Sequence, residues 1–286
     1  MDLFLKLKVF SMSKNRKILV LVILSLLLPI IISSITYLVA VLLLNTNNDA
    51  TYTKYFELIQ SVFSSSENWI TAILQSYYVY VFPFLMALIF LVQSNENVNS
   101  RVQKYNDIAF GKYIVLIKEL ALFLLSAIIM LAINLLTAYG CYAIFAHMIR
   151  SNHFVYDISI PADYSFIAIF KPFSEIVIGI IIVCLVYYLF IDLLIILTKS
   201  IYVPTFIIVL LHVVQLTPYI FVSTYFTFLS NTLYSQNWSL FFYFPSRYIS
   251  RDSMNLSPES SLLVLSGYLA VLLCASFLCR KFAFNR

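Results

Sequence analysis

An ionisable group inside an apolar run is the first place to look for chemistry, and Asp192 is one. It lies in Val177–Leu197, where an ionised carboxylate would have little water to stabilise it. Such a group can gate a pathway or carry a proton. Lys199 follows seven residues later, on the same helical face and about 10 Å along the axis. The simplest expectation is that a snorkelling lysine or a neighbouring helix neutralises the carboxylate. His212 and Gln215, three residues apart in Ile201–Leu229, share a second face; Asn134 and Thr137, at the same spacing in Ile114–Phe145, share a third. The expected role of each pair is a hydrogen bond to another helix, with contact to a substrate pathway as the alternative.

Known catalytic sets do not occur. The chain has no G-x-x-x-x-G-K-[ST] phosphate loop, no H-E-x-x-H and no G-x-S-x-G, and its 4 glycines form no phosphate-cradling cluster. His147, His153 and His212 are scattered. Cys141, Cys184, Cys274 and Cys279 sit in or at the ends of apolar runs, without metal-ligand spacing, and read as small apolar filler. The chain is therefore expected to be no enzyme and to bind no cofactor or metal of its own.

The elements that would position these residues follow from composition. Hydrophobic residues make up 62% of the 286-residue chain and charged residues 11%, against about 25% charged in a soluble domain. The expected class is an all-α integral membrane protein forming a single transmembrane domain over residues 1–286. Six spans are expected at about 18–44, 70–92, 114–145, 177–197, 201–229 and 262–279. Gln75 and Pro83 interrupt the second. Thr198–Ser200 is a very short hinge between the fourth and fifth. Asn45–Trp69 and Ala146–Glu175 are expected outside the spans, the latter punctuated by Pro161 and Pro172. Met1–Lys17 alternates apolar residues with Lys6, Lys8, Lys14, Arg16 and Lys17, the pattern of a short interfacial helix. Ile18–Leu44 lacks the short core and small-residue site of a signal peptide, so it is expected to be an uncleaved first span.

Charge sets the orientation. With both termini inside, thirteen of the 18 basic residues lie on inner segments, leaving Lys54, Arg150, Lys171, Arg247 and Arg251 outside. The positive-inside rule favours that arrangement. The net charge of +5 then serves orientation and lipid headgroups, and no nucleic acid is expected as a partner. Tyr77, Tyr78, Tyr80, Tyr113, Tyr187, Tyr188, Tyr219, Tyr225 and Phe241–Phe244 gather at expected span ends and read as an aromatic belt. A lining for an amphipathic peptide or lipid is the alternative.

The longest polar run on the inner side is Ser94–Glu119, with Arg101, Lys104, Lys112 and Lys118 against Glu96, Asp107 and Glu119. In so apolar a chain it is the surface a soluble partner could grip. A basic interfacial N-terminal helix, six spans and this charged loop together resemble a permease subunit of the type-2 exporter family of ABC transporters. Glu96, Asn97, Asn99, Arg101, Lys104, Tyr105, Lys112, Tyr113 and Lys118 fall where that family places its coupling helix. Phe82–Phe90 is similar to the end of span two in small bacterial permeases that export peptides or protect against bacteriocins. The resemblance implies an ATPase-coupling loop at 94–112, with Glu96, Arg101, Lys104, Tyr105, Asp107 and Lys112 as its contacts. It further implies a separate ATP-binding-cassette subunit that uses the ATP, a second permease copy or paralogue, and a bacterial cytoplasmic membrane. Asn134, Asp192, His212 and Gln215 are then candidates for the pathway or its gate. Two other readings stand beside it: a membrane immunity or sensor protein that binds a toxin without transporting it, and a secondary transporter coupled through Asp192 and His212. Few midplane charges and no glycine-broken half-helices disfavour the second.

Overall fold

A computed structural model describes residues 16–44, 57, 59–74, 77–99, 111–151, 166–221 and 258–283. Among them there is no β-strand, and the long elements are six helices: α1 (Arg16–Leu44), α2 (Phe82–Asn99), α3 (Lys112–Ser151), α4 (Phe166–Thr198), α5 (Tyr202–Phe221) and α6 (Pro258–Ala283). Five segments are long and apolar enough to cross a membrane: Arg16–Leu43, Tyr77–Ser94, Tyr113–Ile149, Val177–Thr198 and Leu262–Lys281. The chain is a multi-pass membrane protein. The fifth expected span corresponds to α5, whose described apolar part, Tyr202–Val213, is shorter than the others. Exposed Leu19, Ile23, Leu27, Ile31, Ile35 and Leu42 run the length of α1. That is normal where lipid is the solvent.

The chain divides into two compact units, and α1, α3 and α4 each contribute to both. The first unit holds 1–21, 79–127 and 178–286; the second holds 22–78 and 128–177. The start of α3 and the end of α4 thus share one unit, while the end of α3 and the start of α4 share the other. The two helices run antiparallel.

Several expectations need correction. The second span does not begin as an α-helix: Ile70–Leu74 and Tyr77–Val81 are π-helical turns, and regular α-helix starts at Phe82. Pro83, with no N–H to donate, stands at the second residue of α2, where the wider turns give way to the α-helix. The segment before it is not a simple outer loop. Ile59, Phe63 and Trp69 are buried, and the Phe63 and Trp69 ring centroids lie 4.8 Å apart. Tyr142 and Phe145 on α3 lie beside Trp69, and Tyr37 on α1 stacks on Phe145 at 4.9 Å. This aromatic cluster is the core of the second unit. Helix α4 begins at Phe166, so Pro172 does not end an element; it removes one intrahelical bond near the helix start. The interfacial helix is also redrawn at its end, because Arg16 and Lys17 open α1 itself. Lys6, Lys8 and Lys14 lie outside the described residues.

The belt reading fails for most tyrosines whose side chains are described. Tyr77, Tyr78, Tyr80, Tyr187 and Tyr188 are buried in the protein, whereas Tyr113 is exposed. Their hydroxyls need partners inside the fold, and two find them in the second unit, as described next.

Candidate functional site

Asp192 is built into the first unit, near the end of α4. It is buried, and its neutralising partner is not Lys199 but Arg280 of α6, whose Nη2 donates to Asp192 Oδ1 at 2.7 Å. Lys199 is exposed and stands past the end of α4, at φ 51°, its N–H donating to the Ile195 carbonyl at 2.9 Å. A left-handed residue there ends the helix and turns the chain into α5 within Lys199–Ile201. The very short hinge is present, and the exposed Lys199 belongs to it. Of the two ways proposed to neutralise Asp192, the structure takes the neighbouring helix.

A second acid completes the site. Glu119, which closes the polar inner run of the sequence, is buried. Four residues after it, Phe123 packs its ring 4.8 Å from that of Tyr188, which stands four residues before Asp192. Because α3 and α4 run antiparallel, Glu119 and Asp192 lie one turn beyond this ring contact in the same direction, roughly 6 Å from it along each axis. The two carboxylates therefore occupy the same level on facing helices. Phe90 of α2 closes the adjoining layer, 4.2 Å from Tyr188 and 6.0 Å from Phe123. Glu119 and Asp192 both act electrostatically on Arg280 and on Tyr188. The fully buried Tyr188 hydroxyl has no hydrogen-bond partner among the described residues.

Sequence reasoning missed Glu119 and Arg280 because both sit near expected span ends, where a charged residue reads as interfacial. The usable signal was spacing. Glu119 has an aromatic four residues toward the membrane, as Asp192 does, and an acid with that neighbour faces the same way as the ring.

His212 belongs to the first unit as well, where α5 packs on α2. Its ring stacks on Phe84 at 4.0 Å with a 7° interplanar angle, and its Nδ1 has no hydrogen-bond partner among the described residues. The expected interhelical hydrogen bond is not made by Nδ1, and the contact described for the ring is its stacking on Phe84. Gln215 lies on α5, and its side chain is outside the described residues.

Asn134 makes the expected interhelical contacts, in the second unit. Its Nδ2 donates to the Met130 carbonyl at 2.8 Å; Tyr78 OH donates to the Asn134 carbonyl at 3.0 Å. Tyr77 OH donates to the Ser25 carbonyl at 2.6 Å, with Asn134 Oδ1 as a second acceptor at 3.0 Å. Ser25 is the residue whose carbonyl an α-helix would bond to the N–H at position 29, and position 29 is proline. Tyr77 thus satisfies an acceptor that Pro29 leaves without its helical donor, as apolar surroundings demand. Thr137 departs from the expectation: its hydroxyl donates to Ile133 of its own helix at 2.9 Å.

Of the expected coupling residues, Glu96 lies in the last turns of α2 and Lys112 is the first residue of α3. Arg101, Lys104, Tyr105 and Asp107 lie outside the described residues. Among the described residues, no group of three or more His, Cys, Asp or Glu side chains could hold a metal ion. No protein-family model matches the chain, and comparisons with curated proteins and with solved structures find no match to either.

Proposed function

We propose that this chain is the membrane-spanning permease subunit of an ATP-binding-cassette exporter. In that reading six spans with both termini inside form half of a substrate pathway, and a second copy or a paralogue forms the other half. A separate ATPase subunit uses the ATP. The substrate class is an amphipathic peptide or antibiotic, and the membrane is the bacterial cytoplasmic one.

The observation that supports this reading is the continuous helix on both sides of the charged loop. Helix α2 runs from Phe82 through the apolar span into the polar residues Ser94–Asn99, and α3 begins at Lys112 and continues for 40 residues. A partner that grips the loop between them holds the ends of two rods, and a push there displaces both spans. Asp192 and Arg280 serve such a motion as a fixed point within the first unit, since a buried ion pair resists sliding of the helices that carry it.

The reading is tested by reversing the loop's charge. The double variant R101E/K104E is expected to insert as the parent does but to lose ATP-dependent clearance of a labelled amphipathic peptide from cells. Clearance equal to the parent's would remove the loop as the coupler.

A further inference from the structure

Lysine is an unusual residue to find in the left-handed region, and Lys199 stands there at φ 51°, directly after the last residue of α4. Glycine would take that conformation without a Cβ clash, so the lysine costs stability where it stands. Its ammonium is exposed and makes no hydrogen bond or ion pair among the described residues. We propose that Lys199 is the centre of a binding site for the phosphate-bearing headgroup of an anionic phospholipid, built on the hinge between α4 and α5.

Three features support this, and none depends on the transport reading. First, the hinge holds its shape without the ammonium. The Lys199 N–H donates to the Ile195 carbonyl at 2.9 Å, the Ser200 N–H to Thr198 Oγ1 at 3.4 Å and the Tyr202 N–H to Ser200 Oγ at 3.3 Å. Backbone and hydroxyls engage one another, and the lysine side chain is left for a partner outside the chain. Second, the position is that of a headgroup. The membrane-crossing segment Val177–Thr198 ends at the residue before Lys199, and the apolar part of α5 starts at Tyr202. Third, the flanks are apolar and exposed: Leu197 is 61%, Tyr202 87% and Phe206 67% exposed. Tyr202 and Phe206, four residues apart, share one face of α5. A cation set between such side chains fits an amphiphile better than a soluble anion. The phosphate meets the ammonium, the tyrosine ring lies at headgroup level, and the acyl chains cover Leu197 and Phe206.

The test uses the full chain in mild detergent, with its thermal midpoint read by size-exclusion chromatography after heating. Phosphatidylglycerol or phosphatidylcholine with the same acyl chains is added in graded amounts, and inorganic phosphate in a separate series. A ligand that binds the folded state raises the midpoint. The parent is expected to gain more from phosphatidylglycerol than from phosphatidylcholine, and nothing from inorganic phosphate. K199Q should need about fivefold more phosphatidylglycerol for half of that gain, the loss expected of one basic residue at a charged lipid surface, and K199R should match the parent. K199G guards against poor folding of K199Q. Without lipid its midpoint should not fall below the parent's, because glycine relieves the strain, yet its response to lipid should be that of K199Q. Lys281, exposed in the last turn of α6, separates a site from general positive charge, and K281Q should move the half-gain point by less than about twofold. Equal shifts for K199Q and K281Q, equal gains from the two lipids, or the same gain from inorganic phosphate would overturn the proposal.

Discussion

Replacing Arg280 with methionine is expected to cost about 3–5 kcal/mol, the range for removing one partner of a buried ion pair. Arg280 donates to Asp192 at 2.7 Å and lies within the electrostatic reach of Glu119. Without it, Asp192 is a buried carboxylate that has lost its guanidinium, with Glu119 buried in the same unit, in surroundings that cannot hydrate either. The R280M protein should reach the membrane in reduced amount and lose its monodisperse elution at a lower temperature than the parent. The triple variant E119Q/D192N/R280M should recover most of that loss, because neutral side chains no longer demand a counter-charge. Lys281 gives the control: it is the next residue but exposed, and K281M should shift stability by no more than about 0.5 kcal/mol. Equal losses for R280M and K281M would mean that the pair contributes nothing to stability.

Replacing Tyr77 with phenylalanine is expected to cost about 1–3 kcal/mol, because it leaves a buried carbonyl without a donor. The carbonyl is that of Ser25, whose usual donor within α1 is missing because residue 29 is proline. The expected result has a second part that a general packing defect would not produce. Pro29→Ala restores an N–H to the helix at the position that bonds Ser25, so Y77F should cost markedly less in a P29A background than in the parent. Thermal midpoints of the four proteins, read in one detergent, measure the difference. An undiminished cost of Y77F in P29A would show that Tyr77 matters through its ring or through Asn134, and not through the freed carbonyl.

The fold was legible where composition dominates. Apolar runs long enough to cross a bilayer read correctly from Ile18–Leu44, Val177–Leu197 and Leu262–Cys279, because nothing but a membrane rewards them. The hinge after Thr198 was legible too, from the shortness of the polar break. What was hidden involves pairing between distant segments. Arg280 and Asp192 are 88 residues apart, and no local pattern says that a basic residue at one helix end serves an acid on another. Tyr77 and Tyr78 looked like belt residues because tyrosine favours the headgroup level. Their burial follows from what Pro29 and Asn134 offer them, and that is visible only once α1, the π-helical turns and α3 are brought together. Trp69 and Phe63 carried a signal that was passed over: large aromatics in a polar segment are costly to leave in water, and here they form the second unit's core.

The central functional claim is most directly tested by purifying the tagged chain in mild detergent and identifying by mass spectrometry whatever accompanies it. The permease reading predicts a stoichiometric subunit carrying a phosphate-loop sequence, present with the parent and lost with R101E/K104E. Recovery of the chain under several detergents with no such subunit would contradict that reading and favour a membrane protein that binds its ligand without moving it.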